Sequence, residues 1–466
     1  MSMINVANKR VTVMGLGLSA GGVGVAKWLL RHDAIVTVTD LKSEAQLSDS
    51  IAEVRSLGKP VEFVLGKHRV QDFNDTDLVI KNPGVPNDSQ YIVAAKKAGV
   101  PIETEISVFI DQFPGQVVGV TGTKGKTTTT TLLHQMLVAS GRHVILGGNL
   151  RKSPLDEVDA ASENSLAVLE LSSFQLESFK QHEFSPHVAL WTNLLPDHLN
   201  RYADMQAYSD AKANIMLFQD QHDYFIANAD QPGLKKIIGQ ARGHVFLFST
   251  EKELPQGAFV RGREIILKDG EAELALGVTK KLLLRGSHNV ANVLAAIAAA
   301  YILKVPQKTI QEVAETFKGV TNRLEFVRTH QGVTYINDTA STIPSSTIAA
   351  LNSFEQPLIC IVGGTEKNLP YQELSDALAR IPKKVILFES LVGHRILEDM
   401  QARYPQQAKE RLVAPLAANM SEALTQARAL AEPGDVVLLS PGAASFGMFD
   451  NEFDRGDQFT GAVKAL

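Results

Sequence analysis

The chain has 466 residues, of which 44% are hydrophobic and 21% charged, and its formal net charge is -5. This length exceeds what a single hydrophobic core usually supports and predicts about three domains. The acidic balance, without any dense Lys/Arg run, argues against a nucleic-acid-binding protein. Anionic substrates would therefore have to be bound by local features, such as glycine-rich loops and helix N-termini.

Three further features bear on where the protein works. Cys360 is the only cysteine, so no intramolecular disulfide exists and a reducing cytoplasm is expected. The first residues lead directly into the strand-like stretch RVTVMGLG, so we expect no signal peptide. The longest apolar stretch, NVLAAIAAAYIL, is too short to span a bilayer and predicts a buried helix. We therefore expect a cytoplasmic protein without membrane insertion.

Strand-like runs alternate with helical patterns along the whole chain, which predicts an α/β fold. The runs separate into three sections, which we place at residues 1–102, 103–318 and 319–466, with boundaries soft by about five residues. We expect a Rossmann-like first domain, a central P-loop ATPase-type α/β domain and a Rossmann-like third domain.

The first section opens with a dinucleotide-type fingerprint. Gly15–Ala20 fits G-x-G-x-x-[GA], and Asp40 ends the next strand at about the ribose-binding distance, so an NAD-dependent dehydrogenase is one interpretation. A lone fingerprint is weak, because its geometry suits any nucleotide diphosphate at a helix N-terminus. Asn82, Pro83 and Gly84 follow another strand and form either a ligand-binding loop or an ordinary turn.

The second section contains a phosphate-binding loop with an unusual spacing, VVGVTGTKGKTTTTTLL at 117–133. A Walker A motif would place its first glycine at position 120, but Val120 is there and the glycine is Gly122. A β-rich run still leads into a helix at Gly125-Lys126-Thr127, which favours phosphate binding over a chance strand–helix turn. Two phosphate-binding loops in consecutive domains indicate two nucleotides, which is unusual for a dehydrogenase.

Three more residues of the second section are candidates for metal chemistry. Glu170 ends an apolar strand, as does the acid that holds Mg²⁺ in P-loop proteins, although a structural role stays open. His198 follows Asn193 and Asp197 in a loop, where an ordinary surface histidine is the alternative. Lys212 lies among apolar residues of a helix, where a lysine that reaches out to solvent is the alternative.

Seven motifs then resemble the Mur ligase family when taken together and in order. They are GTKGKTT, LELSSFQLE, TNLLPDHL, AYSDAKANI, GSHNVANVLAA, NRLE and NDTAST. The glycine-rich first section and LSPGAASF resemble the family members that add D-glutamate to UDP-N-acetylmuramoyl-L-alanine. The resemblance covers essentially the full chain. It implies that the loop with Gly122 and Gly125 is the family's own shorter version and not a damaged Walker A site.

The resemblance implies an ATP-dependent ligase of peptidoglycan precursor synthesis. ATP would convert the L-alanyl carboxylate to an acyl phosphate, which the amine of D-glutamate would attack. The implied cofactors are ATP, Mg²⁺ as two ions, and a carbamate on Lys212 formed with CO₂. We expect a monomer. Folylpolyglutamate-type ligases and a non-catalytic nucleotide-binding module remain alternatives to this function.

The resemblance also implies roles for individual residues. The UDP-substrate would contact Gly17, Leu18, Ser19, Asp40, Gly84, Asn149 and His198. ATP would contact Gly122, Thr123, Lys124, Gly125, Lys126, Thr127, Thr128, Asn289, Asn292, Arg323 and Asp338. The metal ions would be reached by Thr127, Glu170, His198 and Lys212, and the catalytic set would be Lys126, Glu170, His198 and Lys212. D-Glutamate would contact Thr342, Lys367, Ser445 and Phe453.

Three features of the sequence depart from the family pattern. Ala340 replaces the usual lysine of the NDTAST motif, which removes one cation near phosphate and glutamate and leaves more of that role to Lys367. Leu150-Arg151 replaces an isoleucine-glycine pair beside Asn149, and Asn82 stands where many relatives have serine.

Overall fold

The structure is a computed structural model that describes residues 4–17, 20–150, 152–198, 201–284, 286–366, 369–445 and 447–466, with only the backbone of Ala20 and Val278. The chain divides into two compact units, each described separately below. The first comprises Met1–Thr279 and Ala291–Ala314, and the second Lys280–Val290 and Glu315–Leu466.

The first sheet of the first unit is entirely parallel. Its strands are β1 (Arg10–Met14), β2 (Ile35–Asp40), β3 (Val61–Leu65), β4 (Leu78–Lys81) and β5 (Ile102–Glu103), and the helices between them are α1 (Ala20–Arg31), α2 (Ser48–Arg55), α3 (Gln71–Asn74) and α4 (Gln90–Lys97). The strand order is β3-β2-β1-β4-β5. The chain order reverses at β1, so ligands are expected at the carboxyl ends of β1, β2 and β4.

The second sheet of this unit is larger and mixed. The chain segment that forms it begins with α5 (Glu105–Gln112), β6 (Gln116–Thr121), α6 (Lys126–Ala139), β7 (Val144–Gly148), β8 (Leu166–Glu170), α7 (Ser173–Leu176), β9 (Val188–Trp191) and α8 (Met205–Ala213). It continues with β10 (Tyr224–Asn228), α9 (Lys235–Ile238), β11 (His244–Ser249), β12 (Gly257–Arg261), β13 (Glu264–Asp269), β14 (Ala272–Val278), α10 (Ser287–Ile302) and α11 (Gln307–Thr316). The strand order β14-β13-β12-β11-β10-β9-β6-β8-β7 places the switch point at β6.

The second unit contains the third sheet. Its elements are β15 (Glu325–His330), β16 (Val333–Asn337), α12 (Pro344–Leu351), β17 (Leu358–Val362), α13 (Gln372–Arg380), β18 (Lys384–Leu387), α14 (Leu391–Arg403), α15 (Pro405–Arg411), α16 (Met420–Leu430), β19 (Val436–Leu439) and α17 (Glu452–Lys464). The order is β15-β16-β19-β17-β18, and only β15 is antiparallel to its neighbour.

These three sheets confirm the predicted three-domain α/β architecture. The domain boundaries after residues 102 and 318 stay a prediction, and β5 spans the first of them. The central strands β8 and β9 are buried along their full length, as expected for parallel strands covered on both faces. The alanine-rich stretch forms the buried core of α10, as predicted. No helix in the described part of the chain is long and apolar enough to cross a membrane.

The first helix packs closely on the segment around Ser153 because it carries small residues. Gly21 and Gly24 lie one turn apart on α1, where an added Cβ would crowd Glu105 and Ser153 respectively. Ser153 Oγ donates a hydrogen bond of 2.5 Å to Glu105 Oε1. Glu105 is buried, and this burial raises the pKa of its carboxyl group from 4.5 to about 7, against the lowering effect of the Ser153 hydrogen bond.

This raised pKa gives a testable pH dependence of stability. The folded protein holds the Glu105 proton more tightly than the unfolded chain, so its stabilising contribution is complete below pH 4.5 and is lost as the pH rises to about 7. Glu105→Gln should therefore match the wild type at pH 4.5 and exceed its unfolding free energy at pH 8, by at most about 3 kcal/mol. Urea unfolding at both pH values measures this, with exposed Glu163→Gln as the control. A pH-independent difference between Glu105→Gln and wild type would contradict the assignment.

Candidate active site

The segment between β6 and α6 is a tight loop whose shape depends on two glycines. Gly122 and Gly125 have φ values of +147° and +82°, which residues with a Cβ rarely adopt. A Cβ on Gly122 would also collide with Thr192 Oγ1, and one on Gly125 with Asn292 Oδ1. Gly125 is the N-cap residue of α6, so the N-terminus of this helix follows directly on the loop, and the helix dipole there favours an anion.

The segment that follows β9 holds this loop in place. Asn193 accepts hydrogen bonds from the Lys124 amide at its Oδ1 (2.8 Å) and from the Thr123 amide at its backbone oxygen (3.0 Å). Thr123 Oγ1 accepts a further bond from the Leu195 amide (3.0 Å). Thr192 Oγ1 and Asn193 Nδ2 both donate to Lys124 O. The loop is therefore pre-organised by contacts that lie about 70 residues away in sequence.

Two lysines converge on the loop. Lys126 Nζ donates to Gly122 O and Thr123 O, both at 3.0 Å, and Lys212 Nζ donates to the same Gly122 O at 3.0 Å. The Lys212 side chain is 1% exposed, which excludes the alternative that it reaches solvent. Burial and then the charge of Lys126 lower its pKa well below the ordinary value, against the opposing effect of Asp197 and Glu170.

Glu170 lies beside this loop at the end of β8. Its Oε1 accepts a hydrogen bond of 2.9 Å from Asn149 Nδ2, and the Asn149 amide donates to its backbone oxygen at 2.7 Å. Its Oε2 is buried and has no hydrogen-bond partner among the described residues. An unpaired buried carboxylate oxygen is costly, so this atom is a fitting ligand for a hard cation.

His198 is placed in an aromatic cluster next to Lys212. Its ring lies 4.9 Å from that of Phe174 and 6.0 Å from that of Tyr208, measured between centroids, and its backbone is left-handed with φ +54°. Desolvation, helped by the charges of Lys212 and other lysines, lowers its pKa. Within the described ranges, no three His, Cys, Asp or Glu residues are grouped so as to hold a metal ion. Thr127 is the half-buried second residue of α6.

The predicted uridine-side residues gather at the carboxyl edge of the first sheet. Asp40 Oδ2 accepts a hydrogen bond from the Gly17 amide (3.0 Å), and Asp40 Oδ1 accepts one from the Lys42 amide (2.9 Å). The carboxylate thus shapes the glycine-rich turn itself. The Gly84 amide donates to Asn82 Oδ1 at 3.0 Å. Leu18 and Ser19, also predicted here, lie outside the described residues.

Four further residues are predicted ATP contacts, namely Asn289, Asn292, Arg323 and Asp338. Asn292 in α10 lies beside Gly125, and Asn289, one turn earlier, is also buried. Arg323 is exposed. Asp338 is buried at the end of β16, where it accepts hydrogen bonds from the Leu324 amide and from Ser440 Oγ (3.1 and 2.7 Å), and burial raises its pKa to about 6.

Three of the four predicted D-glutamate residues are described by the structure, two in loops and one in a helix. Thr342 follows β16 and is half-buried, and Phe453 is half-buried in the first turn of α17. Ser445 follows β19, is 1% exposed, and its Oγ has no hydrogen-bond partner among the residues the structure describes. Lys367 lies outside the described residues, so its predicted role has no structural counterpart here.

Comparison with known proteins identifies the family. Three family models match: the Mur ligase MurD-like N-terminal domain at residues 9–104, the Mur ligase middle domain at 120–300 and the Mur ligase glutamate ligase domain at 322–442. UDP-N-acetylmuramoylalanine–D-glutamate ligase of Roseiflexus sp. (strain RS-1) is 40% identical over 99% of this chain and 100% of its own length. The chain belongs to the Mur ligase family.

Other relatives agree with this assignment. The D-glutamate ligase of Symbiobacterium thermophilum is 37% identical over 98% of both chains. Among solved structures, the UDP-N-acetylmuramate-alanine ligase MurC of Thermotoga maritima superposes with a TM-score of 0.63 at 22% identity, over 98% of this chain and 99% of its own. MurF of Acinetobacter baumannii gives a TM-score of 0.61 at 16% identity, over 98% and 93%. These two structures share the fold of this Mur ligase.

Several contacts in this Mur ligase were not predicted from the sequence. The hydrogen bonds of Asn193 and Thr192 to the phosphate loop depend on the pairing of β6 with β9, for which the loop motif gives no signal. Arg455, a wholly buried arginine near Thr339, was also missed. The sequence signal that could have revealed Arg455 is its position within the amphipathic pattern of α17, where a charged residue is unexpected.

The phosphate loop gives a sharp test of its glycines. Gly125→Ala should weaken ATP binding by more than about tenfold, because the new Cβ must adopt a left-handed φ and displace the Asn292 side chain. Gly141→Ala is a matched control, since Gly141 follows α6 with a similar φ of +84° but has nothing within 4 Å of an added Cβ. Calorimetric titration of both variants with ATP would measure the effect. Equal affinities for the two variants would show that the loop does not bind the nucleotide.

Proposed function

We propose that this Mur ligase joins D-glutamate to the L-alanyl carboxylate of UDP-N-acetylmuramoyl-L-alanine and converts ATP to ADP and phosphate. The observation that carries the proposal is the full-length similarity, at 40% identity, to a ligase named for this reaction. The phosphate loop, with two lysines around Gly122 O, supports the ATP-dependent part. The reaction places the enzyme in peptidoglycan precursor synthesis.

The first domain would hold the uridine diphosphate end of the substrate. The glycine-rich turn at Gly17, which Asp40 supports, comes shortly before α1 in the chain, and an anion bound at the N-terminus of that helix would gain from the helix dipole. Gly84 would approach the same end from β4. Leu18 and Ser19 complete the proposed contacts. Asn149, beside Glu170, and His198 would contact the muramoyl part of the substrate.

The central domain would bind ATP at the carboxyl edge of β6. Lys126 is held between two loop carbonyls and would face the terminal phosphates as their counter-charge. The loop contacts would come from Gly122, Thr123, Lys124, Gly125, Lys126, Thr127 and Thr128. Asn289 and Asn292 would serve the adenine side, and we assign Arg323 and Asp338 to ATP binding as well.

Activation of the carboxylate explains this concentration of positive charge. A carboxylate oxygen must attack the γ-phosphorus of an already anionic triphosphate, forming an acyl phosphate and releasing ADP. Lys126 lowers the repulsion between the two anions as they approach. The D-glutamate nitrogen then attacks the acyl carbon, and the tetrahedral intermediate expels phosphate with one former carboxylate oxygen. Exclusion of water from the acyl phosphate prevents its hydrolysis.

The residues around Glu170 fit a magnesium site. Glu170 Oε2 is buried and unpartnered within the described residues, and Mg²⁺ is commonly held by one or two carboxylates and several waters. We propose that Glu170, Thr127, His198 and Lys212 hold two Mg²⁺ ions together with the phosphates. When bound, Mg²⁺ offsets the charge of the transferring phosphoryl group.

The third domain would bind D-glutamate through Thr342, Lys367, Ser445 and Phe453. The buried hydroxyl of Ser445, which has no hydrogen-bond partner among the described residues, supports this assignment, since a carboxylate would satisfy it. We further propose a monomer that works in the cytoplasm, where ATP and the UDP-linked precursor are present, with no nucleic-acid or membrane partner.

Substrate-dependent phosphate release tests the proposed function. We expect rapid release with ATP, UDP-N-acetylmuramoyl-L-alanine and D-glutamate together, and only background release when any one of them is omitted. L-Glutamate and other amino acids in the panel should give little turnover. Preferred turnover with another amino acid would contradict the substrate assignment, and NAD-dependent oxidation without ATP would contradict the ligase class.

We also propose that Lys212 carries a carbamate. Its amine is buried beside a second ammonium group, which favours the neutral form that reacts with CO₂. The neutral amine adds CO₂ and releases one proton to form the carbamate. Counted from the ammonium form, two protons leave and a cation becomes an anion. The anionic oxygens of the carbamate would suit a hard metal ion as ligands, whereas an ammonium group at Lys212 would add a positive charge beside Lys126 and the metal.

The carbamate leads to a rescue prediction. Lys212→Ala should reduce turnover by at least about a hundredfold, and added acetate should restore part of it by placing a carboxylate in the vacated space. Lys126→Ala should be equally inactive, but acetate should not rescue it, because that position requires a cation. Phosphate release with and without acetate measures both variants. Near-normal activity of Lys212→Ala, or the absence of any acetate effect, would contradict the carbamate.

A further inference from the structure

A completely buried arginine connects three segments of the second unit. Arg455 lies in α17 and is 0% exposed. Its Nε donates to Thr339 Oγ1 and its Nη2 to Thr339 O, both at 3.0 Å, while its Nη1 donates to Ala443 O and Ala444 O at 3.3 and 3.4 Å. One guanidinium thus bridges the loop after β16, the loop after β19 and the helix that carries it.

The charge of this guanidinium is not neutralised by an ion pair. Its hydrogen-bond acceptors named above are carbonyl and hydroxyl oxygens, and no carboxylate forms an ion pair with it in the described part of the chain. Burial lowers its pKa to about 10, with Glu452 acting in the opposite direction, so Arg455 remains charged at neutral pH. A buried cation with only neutral partners is costly in the free protein and gains when an anion arrives.

A second observation on the same loops points to a ligand. Ser445 directly follows Ala444, whose carbonyl Arg455 binds, and its buried Oγ has no partner among the described residues. Ala340 directly follows Thr339 on the other loop and is half-buried. Because an alanine side chain is uncharged, this position supplies no positive charge to the loop. An unsatisfied donor and an uncompensated cation therefore accompany the same pair of loops.

We propose that Arg455 is a positioning residue of the D-glutamate subsite, which holds the loops of Thr339 and Ser445 together and makes them electrostatically favourable for a dicarboxylate. This inference rests on the proposed function. Arg455 is itself too deeply buried to touch the amino acid. It acts through the two loops, on which Thr342 and Ser445 lie.

The test separates D-glutamate binding from general damage. Arg455→Gln should raise the KM for D-glutamate by about tenfold, with KM for ATP and for UDP-N-acetylmuramoyl-L-alanine changed less than about twofold. Arg455→Lys, which keeps the charge, should fall between this variant and wild type. Arg328→Gln is a matched control, because Arg328 Nη1 binds Lys464 O near the opposite end of α17. It should leave all three KM values unchanged.

A rescue experiment distinguishes charge from packing. Adding Ala340→Lys to Arg455→Gln returns a positive charge next to Thr339. The KM for D-glutamate of this double variant should be at least about threefold lower than that of Arg455→Gln alone. If Arg455→Gln does not fold, the KM values for D-glutamate of Thr339→Val and Arg455→Lys test the inference instead. Thr339→Val removes one hydrogen bond to the guanidinium and should raise the D-glutamate KM selectively.

Two outcomes would overturn the inference. One is an unchanged KM for D-glutamate in every variant that folds. The other is a parallel rise of all three KM values without rescue by Ala340→Lys, which would make Arg455 a structural brace only. The wild-type enzyme in the same assay separates these two outcomes from a failure of the proposed function. If the proposed function is wrong, the wild-type enzyme itself shows no D-glutamate-dependent turnover.

Discussion

The carbonyl oxygen of Gly122 accepts hydrogen bonds from the side-chain nitrogens of two lysines, Lys126 and Lys212, each at 3.0 Å. Protonating both nitrogens would place two repelling cations on one acceptor, and Lys212 is almost wholly buried, so water would not relieve that cost. A bound triphosphate, an anionic modification of Lys212, or both would relieve it. Position 122 requires a glycine, because its φ of +147° is rarely adopted by other residues and an added Cβ would collide with Thr192 Oγ1.

The same design recurs in each sheet. The chain order reverses at β1, at β6 and at β19, and the candidate residues follow the carboxyl ends of the strands beside those points. In the first sheet Asp40 shapes a glycine-rich turn, and in the second Asn193 supports the phosphate loop. In the third, Arg455 joins the loops after β16 and β19. In all three, a side chain from another segment fixes the loop that would meet an anion.

The sequence predicted what depends on local pattern. The α/β alternation, the shortened phosphate loop and the buried alanine-rich helix are all present, because strand runs, glycine spacing and helical periodicity are local properties. It did not predict that Asp40 would bind the amides of Gly17 and Lys42, or that Ser153 would meet Glu105. The Gly17–Asp40 and Glu105–Ser153 contacts join residues 23 and 48 positions apart and are decided by packing, and the Lys42 amide binds the same carboxylate. Arg455 escaped prediction for the same reason, since its acceptors lie on two distant loops.

The central claim is that ATP bound at the phosphate loop phosphorylates the substrate carboxylate and thereby activates it. The most direct measurement uses UDP-N-acetylmuramoyl-L-alanine with ¹⁸O in its alanyl carboxylate and follows the label during turnover with ATP and D-glutamate. The account predicts one labelled oxygen in each phosphate released, because the acyl carbon–oxygen bond breaks when the amine displaces phosphate. Release of unlabelled phosphate during amide formation, with the displaced ¹⁸O found in water instead, would contradict an acyl phosphate and the account built on it.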